Sequence, residues 1–439
     1  MIWQIEISDL MILNKMIKEL IKDFKTNTRV KQVAGLLSVN IISIPLSIVT
    51  SIIITRFLGS TGYGDFKFIL NLFSLAIVVF TFGFFQAGNR ALVLNSDPGK
   101  ARELFGAELI IAFFLFLCMA LFFCGYALLD KNINEKGLRL ILLLVIPFSW
   151  VFLMSKYFEV LFQADNKIKL LAKARLYPHL IYFLIVLSIY YFIFNYSGDR
   201  LKLILGSYFV GNVIVTVYII LKLNPTFRNF RERAREILHY NKTFGFSVYL
   251  GSVFAVGFSQ LTGVLISYFS SDNTGVGFYS LAMTIAAPLA FIPNVIATTH
   301  YKDFSVSKKV PMKLLKVTVG ISVAALIATN LLVGPFIKIF YGIEFSPVIR
   351  LTYIVSFGII MNGLADFFNR FLGSHGKGKA LRNSAFIVGL SVLILNVTLI
   401  PLFGEKGAAW TTFFSGLIYF VCMYLYYKVL ITELKRLNQ

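Results

Sequence analysis

Charge is scarce in this chain, and acidic charge most of all. Of 439 residues, 14% are Asp, Glu, Lys or Arg, with 21 acidic against 42 basic. Soluble domains carry about 25% charged residues, so a water-soluble globule of this size would lack the polar surface it needs. Cysteine is nearly absent. Cys118, Cys124 and Cys422 all lie inside apolar runs, which excludes a disulfide framework and leaves small core hydrophobes. His179, His239, His300 and His375 are scattered and offer no metal spacing. The chain has no phosphate-binding P-loop, no Ser-His-Asp spacing and no paired carboxylates in a polar domain. These absences argue against an enzyme and against direct drive by ATP.

What is present is long apolar sequence. Hydrophobic residues make up 57% of the chain and the mean hydropathy is +0.77. About twelve runs are long enough to cross a bilayer as helices. They fall near 33–55, 66–88, 104–129, 139–162, 173–194, 202–223, 243–268, 277–300, 314–340, 348–372, 381–402 and 408–431. The fold class is therefore an all-α integral membrane protein. No cleavable signal peptide is visible, because the first apolar run follows a charged segment and is too long.

The formal charge of +21 raises nucleic acid as a partner, but the placement of the basic residues argues for no nucleic acid. They sit in short loops between spans. Roughly 30 lie on the side of the N-terminus and about 10 on the other, a positive-inside bias that puts both termini in the cytoplasm. In residues 1–32, Leu10, Leu13, Ile17, Leu20 and Phe24 share one helical face and lysines the other, which suits an amphipathic helix on an anionic membrane surface.

Two stretches repeat. Thr61-Gly62-Tyr63-Gly64 and Thr274-Gly275-Val276-Gly277 lie about half a chain apart, each between two spans. The pattern predicts two six-helix lobes related by a parallel repeat about an axis along the membrane normal. The N-lobe covers 33–224 (helices 1–6) and the C-lobe 242–439 (helices 7–12). Residues 225–241 form a cytoplasmic linker. The first copy imitates a potassium-channel filter, but it follows a full span and lacks a pore helix. The repeat is also unexpected for a polysaccharide polymerase or ligase.

The segment Thr55-Arg56-Phe57-Leu58-Gly59-Ser60-Thr61-Gly62-Tyr63-Gly64 resembles the polysaccharide and O-antigen flippases of the multidrug/oligosaccharidyl-lipid/polysaccharide exporter superfamily. Phe82 to Arg90 (FGFFQAGNR) is similar to the end of that family's second helix, and Gly275 to Ala282 (GVGFYSLA) to the start of its eighth. Asn396 to Thr412 (NVTLIPLFGEKGAAWTT) resembles its eleventh-to-twelfth hairpin. One departure is Thr299-His300-Tyr301-Lys302-Asp303, where the family usually carries a proline.

The resemblance implies a V-shaped central cavity and alternating access. It implies translocation of undecaprenyl-pyrophosphate-linked oligosaccharide across the bacterial inner (plasma) membrane, for O-antigen, lipopolysaccharide or other surface polysaccharide. A cation or multidrug antiporter and a peptidoglycan-precursor flippase are the alternatives within the superfamily. The partners implied are the lipid-linked oligosaccharide and membrane lipids, with a polysaccharide polymerase and glycosyltransferases beside them, and the protein is expected to be a monomer. No cofactor is expected; a proton or sodium ion is the candidate coupling ion.

An anionic lipid head needs a hydrated, cationic path through the bilayer. Asn40 on the first span and Gln260 on the seventh are candidate lining residues. Arg56 and Arg90 end the first two spans, where guanidinium groups suit phosphate; snorkelling to lipid headgroups is the competing reading. Lys242 and Lys302 are candidates for the cytoplasmic mouth. Asp366 and Arg370 are four apart on the tenth span and can pair, either as an ion-coupling site or as a structural brace. Lys156 and Glu159 form a similar pair on the fourth, read as structural.

Overall fold

The computed structural model describes residues 28–95, 97–164, 167–193 and 198–436. The amphipathic segment expected before Val33 lies almost wholly outside them. Of Asn40 and Lys302 only the backbone is described.

The described residues are almost entirely helical. The first half contains α1 (Thr28–Phe80), α2 (Phe84–Val93), α3 (Pro98–Leu129), α4 (Lys131–Glu135), α5 (Arg139–Val145), α6 (Trp150–Ala164), α7 (Ile168–Phe192) and α8 (Arg200–Leu223). The second half contains α9 (Phe230–Tyr240), α10 (Phe246–Ser252), α11 (Phe258–Phe269), α12 (Thr274–Ala286), α13 (Pro288–Thr299), α14 (Tyr301–Val306), α15 (Met312–Phe336), α16 (Pro347–Ser374), α17 (Gly378–Phe403) and α18 (Glu405–Arg436).

Among the described residues, ten continuous helices are long and apolar enough to cross a membrane, and one bent pair makes an eleventh. The first of the ten, Ile41–Phe80, has 40 residues. At 1.5 Å per residue that is about 60 Å, twice the hydrocarbon thickness. Gly59, at φ 72 and ψ −179, breaks the helix near its middle, in a region open to glycine and strained for other residues. Counting the two arms separately gives the twelve spans expected. Apolar side chains such as Leu121, Leu221 and Leu331 stand exposed on the outer surface, where lipid would cover them.

Some spans differ from the expected continuous helices, two of them most clearly. Residues 139–162 bend by 43° between α5 and α6. Pro147 sits in the 3-10 turn Ile146–Phe148 at the bend; it has no N–H and cannot continue the ladder. The seventh span carries π-helical turns at Asn241–Gly245 and Val253–Gly257. The linker segment is not a loose loop: α9 runs through the first π turn into the seventh span. It is clamped to the first half of the chain. Arg233, 7% exposed, binds Glu103 of α3 at 3.2 Å and Glu236 at 2.6 Å, and also Glu232. The Thr226 N–H donates to the Arg102 carbonyl at 3.0 Å.

The bundle thus has a linker end, near α9, and a repeat end, where the residues around Thr61 and Thr274 meet. A continuous apolar core joins the two halves at the repeat end. There Tyr63 packs edge-on against Phe345, which also meets Phe278. At the linker end the second half has its own core, with Phe304, Phe367, Phe371 and Leu430 fully or nearly fully buried. Small residues allow close helix contact. A Cβ on Gly358 would lie 2.4 Å from the Thr412 carbonyl oxygen, so α16 and α18 touch backbone to backbone.

Candidate functional site: a basic cavity behind a closed seam

A cavity of about 630 Å³ lies among the first-half spans and the seventh. Val39, Ser43, Ser74, Ile77 and Val78 of α1 line it, with Phe152, Ser155, Lys156 and Glu159 of α6. From α7 come Leu171, Ala174, Arg175, Pro178, His179 and Tyr182, and from α8 Tyr208 and Asn212. Val256 and Gln260 close it from the seventh span. The α7 residues recur at three and four positions, which is one face of a helix.

Its charges are biased to the basic side. Glu159 receives a 2.7 Å bond from Arg175 and lies 3.5 Å from Lys156. One carboxylate therefore holds two cations, each a third or more exposed. Arg175 keeps guanidinium donors beyond those spent on Glu159. Toward the repeat end, Lys67 lies over the Tyr63 ring at 5.4 Å and within electrostatic reach of His179. Tyr182 and Tyr208 meet edge to face at 5.3 Å, and the Tyr182 hydroxyl has no hydrogen-bond partner among the described residues.

Between this cavity and the repeat end the two halves are tied together. Thr61 and Thr274 share a 3.0 Å hydroxyl bond. The Lys136 ammonium reaches the Ser267 carbonyl, the Ser267 hydroxyl at 2.9 Å and Asn273 Oδ1 at 3.3 Å. Asn273, fully buried, donates to Asp65 at 2.7 Å. Ser51 meets the Tyr341 hydroxyl at 2.8 Å. Along the seventh span, Tyr249 donates to the Val79 carbonyl at 2.8 Å, and a Cβ on Gly263 would strike Asn71.

The residues singled out from sequence fall in several places. Gln260 lines the cavity. Arg56 belongs to the seam: its guanidinium donates to the Phe340 carbonyl at 2.7 Å and the Ile339 carbonyl at 2.8 Å, at the end of the ninth span. Arg90 is exposed over the Phe244 ring at 5.7 Å, and Lys242 is exposed nearby. Asp366 accepts from Tyr419 at 2.8 Å and from Asn294 at 3.4 Å, while Arg370 donates to Asn294 at 3.4 Å. Asn294 thus stands between the two charges expected to pair. Arg175 and Lys67, neither of which is singled out from the sequence, are the additions. The four-residue step from Arg175 to His179 inside an apolar run is the signal that marks that face.

Known proteins agree with this architecture. The inward closed conformation of the lipid II flippase MurJ superposes with a TM-score of 0.70 at 14% identity, over 90% of this chain and 87% of that one. An inward-facing multidrug resistance transporter of the MATE family gives 0.64 at 13% identity, over 90% and 96%. In sequence, a Haloferax volcanii protein named "Probable flippase AglR" is 26% identical over 234 residues, 50% of this chain. The chain spans about half the length of that curated relative, 48%. Residues 30–301 match the family model described as polysaccharide biosynthesis protein, and the chain belongs to that family.

Proposed function

We propose that the protein is a flippase that carries a polyprenyl-pyrophosphate-linked oligosaccharide, of the undecaprenyl class, from the inner to the outer leaflet of a bacterial inner membrane. The single observation that carries this reading is the cavity, where Arg175 and Lys156 share one carboxylate and leave a net positive charge in the membrane interior. These cations are partly exposed to the cavity and share one carboxylate, so an anion entering it finds charge that is not fully neutralised. The positive-inside bias supports placing the linker end and both termini in the cytoplasm. The seam is then the outer gate and the cavity faces inward.

In this reading the pyrophosphate exchanges with Glu159 for the guanidinium of Arg175, which offers paired N–H donors matched to phosphate oxygens. Lys67 is the next cation along the path outward. Tyr182, Tyr208 and Gln260 offer hydroxyl and amide groups to the sugar. The polyprenyl tail stays in lipid, where its transfer costs nothing. Release outward requires the Lys136, Asn273 and Thr61–Thr274 contacts to open and the linker end to close, as alternating access demands. Surface polysaccharide assembly, including O-antigen, is the use that fits this substrate, with a polymerase and glycosyltransferases as functional neighbours. The basic cavity disfavours the antiporter of cationic drugs. Asp366, held by Tyr419 and Asn294, reads as a brace of the second half.

The test is a deletion strain. Labelled lipid-linked oligosaccharide should accumulate on the cytoplasmic leaflet, and surface glycan should fall. Unchanged glycan in a strain without a second transporter would contradict the proposal.

A further inference from the structure

Glu108 is buried in α3, 2% exposed. Neither of its carboxyl oxygens has a hydrogen-bond partner among the described residues. Tyr157 of α6 faces it, fully buried, with its hydroxyl close to the carboxyl but outside the geometry of a well-formed hydrogen bond. From α2 the facing position is Gly88. A Cβ there would lie 1.3 Å from Glu108 Oε1 and 2.2 Å from the carboxyl carbon. The carboxyl therefore occupies the volume that any other residue at position 88 would need. An unpaired carboxylate in such a place is costly, and this packing fits the uncharged acid.

Nothing in the fold needs an acid there. Among the described residues Glu108 makes no ion pair, and it caps no helix. An apolar side chain of similar size would fill the space at lower cost. Lys156 and Glu159, the sequence neighbours of Tyr157, point into the cavity on another face of α6.

Helix α2 touches both Glu108 and the seventh span. At its N-terminus Gly83, at φ 81, packs on Gly245 so closely that a Cβ would lie 2.4 Å from the Gly245 backbone. Near its other end the Arg90 guanidinium covers the Phe244 ring. Both partners belong to the π turn Asn241–Gly245. That turn lies between α9, which is clamped to the first half, and the rest of the second half. π turns are frequent at functional sites and interrupt the regular i→i−4 ladder, so this junction is a place where the span can bend. Bending there displaces the residues on which α2 rests.

Building on the alternating-access reading, we propose that Glu108 is a proton-carrying site. It holds its proton while α2 is packed over it, and releases the proton to water when bending of the seventh span lifts α2 away. A metal cation is a poor fit, because one carboxyl and one hydroxyl supply three oxygens where hard cations take six or more. Among the described residues no group of three acidic, histidine or cysteine side chains gathers elsewhere.

The experiment uses the full chain in phosphatidylethanolamine/phosphatidylglycerol vesicles containing a fluorescent polyprenyl-pyrophosphate disaccharide. Two readouts are taken, for wild type and Glu108→Gln. The infrared carbonyl stretch of a protonated carboxyl, compared between acid and alkaline pH, should show a band in wild type that Glu108→Gln lacks. A band unchanged by the substitution overturns the proposal. Flipping of the probe should rise several-fold in wild type under an imposed proton gradient, and Glu108→Gln should flip at one rate with or without it. Retained gradient dependence in Glu108→Gln also overturns it. If wild type flips no probe, the flippase reading fails, while the infrared band still decides whether Glu108 carries a proton. Should Glu108→Gln not fold, Glu108→Asp keeps the acid and should shift the pH midpoint of the band; an unshifted midpoint counts against the proposal.

Discussion

Thr61 and Thr274 lie 213 positions apart in sequence and 3.0 Å apart in space. The same interval separates Gly64 from Gly277, and a Cβ on Gly277 would lie 3.0 Å from the Gly64 Cα. The two copies of the repeated motif therefore meet each other. The repeat is not only a trace of two similar halves. It builds the seam at which those halves close.

Replacing both threonines by cysteine should give a disulfide under mild oxidation, because the side chains already touch. Flipping should stop in the oxidised double variant and return on reduction. Cross-linking with undiminished transport would mean that the seam does not open during the cycle.

Gly64→Val tests the same contact without chemistry. A Cβ at Gly64 would lie 2.0 Å from the Asn273 carbonyl oxygen, a backbone atom that cannot swing aside. The seam should be held apart, and a cysteine placed at Ser60 should react faster with an impermeant maleimide added at the repeat end. Equal labelling in the Gly64 parent would contradict the packing.

The twelve spans and the two-lobed plan were legible because bilayer thickness fixes helix length and apolar runs are long. Breaks inside a span were less so. Pro147 was visible, but whether a membrane proline kinks or merely sits is settled by its neighbours. The roles of the arginines were harder still. Arg56 and Arg175 look alike in sequence, each beside apolar residues. Only the fold brings the Phe340 carbonyl to one and Glu159 to the other. Glu108 lies in a long apolar run, and its partnerless state depends on Gly88 and Tyr157, which are far from it in sequence.

Arg233→Ala should loosen α9 from the first half. It removes an ion pair with Glu103 and a charged hydrogen bond to Glu236, and a charged hydrogen bond of this kind contributes about 2–3 kcal/mol. A lower midpoint of thermal unfolding in detergent is expected, with faster proteolysis near residue 226. An unchanged midpoint would mean that the clamp contributes little.

Asp366→Asn should retain most transport, because an amide oxygen can still accept from Tyr419. Asp366→Leu removes the acceptor of that half-buried hydroxyl, which still accepts from Asn369, and should cost about 1 kcal/mol of stability. Loss of transport in Asp366→Asn at normal stability would instead assign a coupling role to Asp366.

The central claim is that the cationic cavity binds the lipid-linked anion. It is tested most directly by comparing Arg175→Ala and Arg56→Ala in vesicles with the fluorescent polyprenyl-pyrophosphate disaccharide. Loss of a charged contact worth about 2–3 kcal/mol corresponds to a roughly 30- to 150-fold effect. Arg175→Ala should lower flipping on that order, with Arg175→Lys partly restoring it. Arg56→Ala should weaken the seam and leave probe affinity unchanged. Equal affinity in Arg175→Ala and wild type, with loss in Arg56→Ala, would contradict the account and move the binding site to the repeat end.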